Sequence, residues 1–496
     1  MKIFKLFKNQ KGSAIAMILV FGGAALLVLG GLSGFILLQL RQSRQKAAWE
    51  DSLAIAEAGA NYYRWHLIHS PNDIQDGQGT CCANPPCEAC GPYVHDYYDA
   101  SGELIGHFSL EITPRKTCDE ILGVYVNSTG YTEKFPNYKR TIQAKFASTS
   151  VAEYSYLLNE NVWAGADRQI YGKYHSNGGI RMDGTHNSLV TSASPTWTCT
   201  SSFGCSPSAC PAGCARAGQN CSCNGVIGNS ANSDLWEFPV PPFDFAGLTN
   251  DLSRMKSLSQ TKGKYFPPSV NLNPSGRGYH LILKDNGKFD IRIITSLGRV
   301  WGYSAEEGWH WDYHVIQNET NYQADVALPA SCGLIFTEDN LWIEGTTKGK
   351  ITVASANLIN PFQDTGVVIN NNLIYTNLEG ADSLSLITEK DILVPLYSPS
   401  DMITQGIFVS QKGRSLSRNH YDCSWYSGDC KKNTLTLYGS VVSNGRVGTK
   451  WTSGPTWISG YNQRFDYFDQ KLAVDPPPLL PYVSEEMQLI SWEEIQ

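Results

Sequence analysis

Residues 13–40 read SAIAMILVFGGAALLVLGGLSGFILLQL, and none of them carries a charge. A lysine-rich leader ending at Gly12 precedes this segment, and basic residues within 41–46 follow it. A helix rises about 1.5 Å per residue, so roughly 28 residues are enough to cross the ~30 Å hydrocarbon core of a bilayer. The segment therefore predicts a membrane-spanning helix from Ser13 to Leu40.

The helical pattern continues beyond the apolar segment. No proline interrupts residues 13–70, and Pro71 ends the run. Apolar side chains recur three or four residues apart, which is the spacing of one helix face: Leu53, Ala56, Ala60, Tyr63 and Leu67. The sequence therefore predicts one helix whose first half is apolar all round and whose second half, 41–70, is amphipathic.

The order of these N-terminal features excludes an ordinary secretory signal peptide. Such a peptide has an apolar core of about 7–15 residues followed by a small-residue cleavage site. Here the core is longer, and the small pair Gly12-Ser13 precedes it. The layout resembles the leader of type IV pilins and type II secretion pseudopilins. That resemblance implies cleavage by a prepilin peptidase between Gly12 and Ser13, with the apolar segment kept as a membrane anchor and as the packed core of a filament.

Two details narrow the resemblance to particular classes of pilin. The fifth residue after the implied cut is a glutamate in most pilins, but it is Met17 here. Its absence is typical of PilX-like minor pilins and K-type tip pseudopilins, and the stretch IAEAGANYYR at 55–64 resembles the segment that follows the anchor in PilX-like proteins. The first residue after the cut is Ser13, where Phe or Met is usual. The alternative is an ordinary single-span anchor, since basic residues on both sides leave its orientation undecided.

Composition limits the remaining possibilities. The chain has 496 residues and a net charge of −7, and its basic residues cluster only in the leader, so nucleic acid is not expected as a partner. The length predicts two or three domains. Charged residues make up only 17% of the chain, which suits an extracellular protein rich in strands and turns.

All 14 cysteines lie beyond residue 80, on the far side of the predicted anchor, and this favours disulfides in an oxidising space. Cys423 and Cys430 are close enough in sequence to pair locally. Connectivity elsewhere stays open: Cys81, Cys82, Cys87 and Cys90 pair among themselves or with Cys118. A zinc site competes with this interpretation in that cluster and in the cysteine-rich insert of 199–223, but structural zinc requires well-spaced pairs of reduced thiols. We expect no metal and no cofactor.

The rest of the chain reads as all-β. Alternating segments in 71–150 predict a small β unit that covers the amphipathic helix. Beyond 151, short apolar runs separated by Gly, Asn, Asp or Ser predict a sandwich, barrel or solenoid. The stretches at 163–165, 175–180, 464–469, 475–478 and 491–493, together with Pro481, resemble the β-helical region of large PilX-like surface proteins, which implies a right-handed parallel β-helix. A β-sandwich is the alternative.

The predicted domains are a prepilin-type leader, the N-terminal helix, a pilin-like β domain with a cysteine cluster, the start of the β-helix with cysteine-rich and proline-rich insertions, the β-helix core and a C-terminal tail. Their bounds are 1–12, 13–70, 71–150, 151–325, 326–482 and 483–496. Within them, Asn286-Gly287 between alternating strands predicts a hairpin with a type I′ turn.

One strand carries an unusual pattern of residues. The run WHWDYH at 309–314 places His310, Asp312 and His314 on one face and three aromatic rings on the other. One alternative is a metal site on the histidine face. We instead expect the aromatic face to pack inside.

No catalytic residue is predicted, because the sequence contains no nucleophile elbow, phosphate loop or zincin helix. The favoured function is a non-enzymatic minor pilin or tip pseudopilin. It would have its N-terminus in the cytoplasm, a single membrane span and a β-helical head for adhesion or tip assembly. Its partners would be the membrane, other pilins, prepilin peptidase, and a surface carbohydrate or another cell. The alternatives are a membrane-anchored carbohydrate-binding or carbohydrate-active protein and an anchored surface protein outside any filament.

Overall fold

The computed structural model describes residues 13–70, 73–77, 81, 89–118, 120–245, 247, 252–269, 277–360, 363–454 and 456–495. These residues form the helices α1 (Ser13–His69), α2 (Leu252–Thr261) and α3 (Gln470–Val474) and many strands. The prediction of a long N-terminal helix followed by an all-β chain is confirmed. The chain divides into two compact units.

Unit 1 comprises residues 1–114, 124–146 and 489–496. The strands that contribute to it are β1 (Cys90–Tyr98), β2 (Leu104–Thr117), β3 (Glu120–Thr132), β4 (Phe135–Ser150) and the C-terminal strand (Tyr482–Ile495). They are neighbours in that order in a five-stranded sheet, and β1 pairs antiparallel with β2. The stretch 483–496, which the sequence suggested as a tail, therefore contains a strand.

Alternation along the strands of unit 1 produces its core. In β2, Phe108, Leu110 and Ile112 are buried while the residues between them are not. In β4, Ile142 and Ala144 repeat the same pattern. Successive side chains of a strand point to opposite faces, so one face of this sheet is apolar and meets the helix α1.

Unit 2 comprises residues 115–123 and 147–488. Its first strands are short and closely spaced: β5 (Tyr154–Leu158), β6 (Val162–Ala164), β7 (Arg168–Ile170), β8 (Lys173–Ser176), β9 (Ile180–Met182), β10 (Thr185–His186), β11 (Val190–Ser192), β12 (Thr196–Cys199), β13 (Cys214–Ala217), β14 (Asn220–Asn224), β15 (Val226–Ile227) and β16 (Trp236–Glu237). Of these, β12, β14 and β13 form a separate antiparallel sheet in the cysteine-rich insert.

Longer strands follow α2: β17 (Lys264–Phe266), β18 (Tyr279–Leu283), β19 (Lys288–Ser304), β20 (Gly308–Ala327), β21 (Leu334–Thr337), β22 (Leu341–Thr347), β23 (Lys350–Ser355), β24 (Val367–Tyr375), β25 (Ser383–Thr388), β26 (Ile392–Leu393), β27 (Asp401–Ser410), β28 (Lys431–Ser443), β29 (Lys450–Ser453) and β30 (Thr456–Tyr467). Most of the pairings among β17–β30 are parallel, and so is the pairing of β28 with β5.

Parallel strands stack in register along unit 2. One ladder runs through β17, β21, β23, β25, β27, β28, β5, β8, β11 and β16. A column of paired, buried side chains follows it through the core: Ile335, Val353, Leu386, Phe408, Val441, Tyr156, Tyr174 and Val190. Parallel ladders are typical of a solenoid and not of the antiparallel sheets of a sandwich. The right-handed β-helix itself stays a prediction.

The order of this ladder differs from the order of the sequence. The late strand β28 pairs on one side with its predecessor β27 and on the other with β5, which lies near the start of unit 2. The strand β30 likewise pairs with β7. The first and last parts of unit 2 therefore meet in the middle of the stack, along a junction that we call the seam.

Candidate functional site

The apolar half of α1 is the clearest candidate functional element. It is long and apolar enough to cross a membrane, and it is exposed along its length. Met17 and Leu40, which mark the predicted anchor, are 61% and 49% exposed. Ser13 is the first residue of the helix. Gly12, the predicted last residue of the leader, lies outside the described residues.

The second half of α1 buries one face against the sheet of unit 1. Ile55, Ala56, Tyr63 and Leu67 are nearly inaccessible, which confirms the amphipathic pattern of this stretch. The hydroxyl of Ser52 on the same face lies 2.7 Å from two backbone carbonyl oxygens, that of Ala48 in its own helix and that of Tyr138, and its single proton is shared between them. One continuous helix therefore has two halves with different surroundings, the first exposed and apolar and the second packed on strands.

Small residues bring this helix unusually close to the sheet. A Cβ atom placed on Gly59 would lie 2.3 Å from the Ser128 side chain. A Cβ atom on Gly130 of β3 would lie 2.2 Å from the backbone oxygen of Ser52 and 2.4 Å from the backbone nitrogen of Ala56. The Ala-Glu-Ala-Gly stretch is thus explained in part by packing, because Gly59 leaves room for the strand.

Replacing Gly130 with alanine is expected to loosen unit 1. The new methyl group meets helix backbone, which has no alternative rotamer, so the helix and strand must separate at a cost of about 1–3 kcal/mol. Hydrogen–deuterium exchange over residues 48–67 measures the effect and should become faster.

A matched glycine tests whether the effect is steric. A Cβ atom on Gly22 in α1 meets nothing within 4 Å, so Gly22→Ala should leave exchange over 48–67 unchanged. Equal protection in the Gly130→Ala variant and the original chain would mean that the close approach is not required for stability.

The cysteines of the described residues form disulfides, and none of those residues is a free cysteine. The predicted pair Cys423 and Cys430 is joined, and Cys81 is joined to Cys90. Three bonds lie within the cysteine-rich insert, between residues 199 and 205, 210 and 221, and 214 and 223. Cys82 and Cys87 lie outside the described residues.

Of the two alternatives suggested by the sequence, pairing within the 81–90 cluster is found for Cys81 and Cys90, whereas the predicted pairing of that cluster with Cys118 is wrong. Cys118 bonds to Cys332, which is 214 residues away, and not to the cluster at 81–90. The sulfurs of Cys199, Cys205 and Cys223 lie close enough together to hold a metal ion, but each belongs to a disulfide and is not a thiolate.

The histidine run at 309–314 faces the opposite way from our expectation. The aromatic side chains Trp309, Trp311 and Tyr313 are exposed, whereas Asp312 is buried. The polar face turns inward because it finds partners: His310 Nε2 lies 2.8 Å from Asp312, and Asn419 donates a 2.8 Å hydrogen bond to the same carboxylate. The expectation that the aromatic face packs inside is wrong.

These contacts determine the charges of the inward face. Burial disfavours the Asp312 carboxylate, but His314, His310 and Asn419 outweigh that effect and lower its pKa. The hydrogen bond to Asp312 raises the pKa of His310 despite some burial. Burial dominates at His314 and lowers its pKa. The three side chains therefore form a charge-balanced cluster that stabilises β20 against its neighbours.

A second buried histidine lies between two carboxylates that sequence reasoning did not bring together. His280 Nδ1 lies 2.7 Å from Glu319, and His280 Nε2 lies 3.5 Å from Glu344. Burial disfavours the Glu319 carboxylate, but Arg292 and His280 outweigh that effect and lower its pKa. The nearby His280 is the main cause of the lowered pKa of Glu344. Acids that stay ionised at neutral pH are poorly suited to donate a proton in catalysis.

Comparison with known proteins gives little beyond these observations. No protein-family profile matches the chain. No curated protein matches it significantly. A solved structure, the competence-associated pilin ComZ from Thermus thermophilus, aligns over 90% of this chain and 97% of its own, at 14% identity and a TM-score of 0.31. That score is too low for us to draw a conclusion from the likeness.

Proposed function

We propose that this protein is a membrane-anchored, pilin-like subunit whose N-terminal helix anchors it and whose β units form a head outside the cytoplasm. The observation that carries the proposal is the helix Ser13–His69, apolar and exposed in its first half and packed on a sheet in its second. An apolar surface of this extent is costly in water, so it needs either lipid or other apolar helices around it.

The leader supports a pilin-type pathway. Its small pair Gly12-Ser13 precedes the apolar segment, so a cut at this position would retain the anchor. The N-terminus would lie in the cytoplasm and both β units beyond the membrane, where disulfides such as Cys118–Cys332 and Cys423–Cys430 persist.

Met17 supports the role of a minor or tip subunit and not that of the major subunit of a filament. A glutamate at this position would place a charge inside an apolar helix bundle, where it must find a partner. Met17 removes both the charge and the need for the pair. The large unit 2 would then be displayed at the cell surface or filament tip for adhesion or tip assembly, with other pilins or pseudopilins as partners.

The test of this proposal is the N-terminus of the mature protein. We expect the chain, expressed with a prepilin peptidase from its own source, to lose residues 1–12 and to begin at Ser13 with a methylated amine. Intact-mass spectrometry and N-terminal sequencing measure this. Gly12→Val should leave the chain uncut, because the larger side chain replaces the residue at the cleavage point.

A second glycine provides the control. Gly22→Ala changes a glycine inside the apolar segment and should leave cleavage complete. A full-length, uncut original chain in the presence of an active peptidase would contradict the pilin pathway and leave an ordinary single-span anchor.

A further inference from the structure

The outward face of the hairpin β19–β20 in unit 2 carries a group of aromatic side chains: Trp301, Tyr303, Trp309 and Trp311. We call this group the aromatic surface. Pairing of Trp301 with Trp311 and of Tyr303 with Trp309 across the two strands places all four on one face. Trp309 and Trp311 are 44% and 42% exposed, high values for the largest apolar side chains.

The four rings form a continuous surface. The ring centres of Trp301 and Trp311 are 4.9 Å apart, and those of Trp301 and Trp309 are 6.2 Å apart with planes inclined by only 10°. Tyr303 lies 5.6 Å from Trp309. A contiguous exposed group of this kind is unusual on a soluble domain and marks a binding site more often than a scattered aromatic residue does.

The indole N–H groups of these tryptophans differ in their bonding from those of tryptophans elsewhere in unit 2. Trp342 and Trp451 donate their ring N–H to the backbone oxygens of His314 and Arg418, each at 2.8 Å. The ring N–H groups of Trp301, Trp309 and Trp311 donate to no acceptor in the part of the chain that the structure describes. The aromatic surface therefore offers hydrogen-bond donors beside its apolar ring faces.

The backbone beneath the aromatic surface is held firmly. The backbone N–H of Trp301 donates a 2.7 Å hydrogen bond to the Tyr426 hydroxyl. Tyr303 and His420 exchange two backbone hydrogen bonds of 2.9 Å. On the inner face, Asp312 is buried and bonded to Asn419. The rings are thus positioned before any ligand arrives, which reduces the entropy cost of binding.

The charges around the hairpin are balanced. The Arg299 guanidinium lies 4.4 Å from the centre of the Trp311 ring. At the hairpin turn, Glu307 pairs with Lys390 at 2.9 Å, and Glu306 lies 3.5 Å from Arg414. Balanced charge favours an uncharged ligand over an anionic membrane or polyanion.

We propose that the aromatic surface binds a neutral carbohydrate chain. A pyranose ring has one face of polarised C–H groups, which complements the electron-rich face of an aromatic ring. Its hydroxyl edges can accept hydrogen bonds from the indole N–H groups and from Arg299. This site is independent of the membrane anchor, so it can be tested whether or not the leader is cleaved.

The experiment uses the full chain in lipid nanodiscs, because sugar-headed detergents would compete for the site. The probes are microcrystalline cellulose, chitin and insoluble α-glucan, in sedimentation assays. We expect binding to at least one of them, weakened at least tenfold in the double variant Trp309→Ala/Trp311→Ala. The variant Trp309→Phe/Trp311→Phe keeps ring faces but loses two N–H donors, and should bind with intermediate strength.

The control is Trp492→Ala, which removes a tryptophan that is 52% exposed in unit 1 and should not alter binding. Thermal unfolding of each variant checks that the fold is retained. Absence of binding to all three probes, or equal binding by the double alanine variant and the original chain, would overturn the proposal. Loss of self-association in the double variant without any carbohydrate binding would instead assign the surface to a second copy of the chain, and would also overturn it.

Discussion

Replacing Asp466 with asparagine is expected to lower the free energy of unfolding of unit 2 by about 3–5 kcal/mol, the cost of leaving a buried charge without its partner. Asp466 is fully buried and lies between two guanidinium groups. Arg168 contacts it at 2.5 Å and Arg464 at 2.8 Å. Asparagine preserves the shape of the side chain but removes the negative charge that both guanidinium groups contact.

The position of this cluster makes the effect large. Arg168 lies on β7, whereas Asp466 lies on β30, so the cluster joins the first and last parts of unit 2 across the seam. Tyr156 of β5 completes it, donating a 2.6 Å hydrogen bond to Asp466 while accepting one of 2.6 Å from Arg168. Losing the carboxylate therefore leaves unpaired cations at the junction on which the continuity of the stack depends.

The same cluster predicts the direction of pH dependence. Burial disfavours the Asp466 carboxylate, but the charges of Arg168 and Arg464 outweigh this and lower its pKa in the folded protein. A carboxyl group with a lowered folded pKa stabilises the fold above its unfolded pKa of about 3.9, and that contribution disappears as the pH falls through the folded value. The difference in unfolding free energy between the Asp466→Asn variant and the original chain should therefore disappear in strong acid.

A neighbouring exposed ion pair provides the control. Asp167 contacts Lys450 at 2.9 Å across the same seam, with both side chains roughly a third exposed. Asp167→Asn should cost no more than about 1 kcal/mol, because water screens the pair. Guanidinium unfolding followed by tryptophan fluorescence measures both variants. Similar unfolding midpoints for the two would contradict the role assigned to the buried cluster.

The elements that the sequence predicts well are those with a local cause. A long charge-free run followed by an amphipathic pattern determines α1, because both properties lie within neighbouring residues. The short apolar runs and turn residues likewise indicate an all-β chain. The hairpin predicted around Asn286-Gly287 is confirmed as the antiparallel pair β18–β19. Its predicted type I′ turn is wrong, because Gly287 has a positive φ of 79° and Asn286 does not, and a loop of this kind fits a bulged three-residue turn.

The stack of parallel strands in unit 2 carries a regular sequence signal besides its apolar runs. Several apolar runs end in a buried serine or threonine that pairs with the next in the stack: Thr337, Ser355, Thr388, Ser410 and Ser443. Their hydroxyls donate hydrogen bonds to backbone oxygens, as Ser355 does to Asp339 at 2.8 Å and Thr388 does to Thr365 at 2.9 Å. A recurring closing hydroxyl is a better indicator of stacked turns than the irregular spacing of the runs.

Other features could not be predicted because they depend on distant partners. The seam joins β28 to β5, and nothing local to either strand indicates the other. Which face of the strand at 309–314 points inward depends on Asn419, about a hundred residues later. The amide of Asn419 donates a hydrogen bond to Asp312. A single sequence contains both residues of such a pair but not the fact that they meet.

The bond between Cys118 and Cys332 also joins residues that are far apart in the sequence. Its removal is expected to lower the free energy of unfolding much more than the loss of a local disulfide does. The two residues are 214 positions apart in the sequence. In the chain-entropy account, closing a loop of that length destabilises the unfolded state by about 5 kcal/mol. The bond between Cys423 and Cys430, only 7 positions apart, gives about 2 kcal/mol by the same account.

The double variants Cys118→Ala/Cys332→Ala and Cys423→Ala/Cys430→Ala test this difference, measured as unfolding midpoints in guanidinium. We expect the first to unfold at a clearly lower denaturant concentration than the second. The cause lies in the unfolded chain, so the slope of unfolding free energy against denaturant should also rise in the first variant, because an unlinked chain exposes more surface. Equal midpoints and equal slopes would mean that unit 2 retains structure near these residues after unfolding, which would remove the entropic advantage of the long loop.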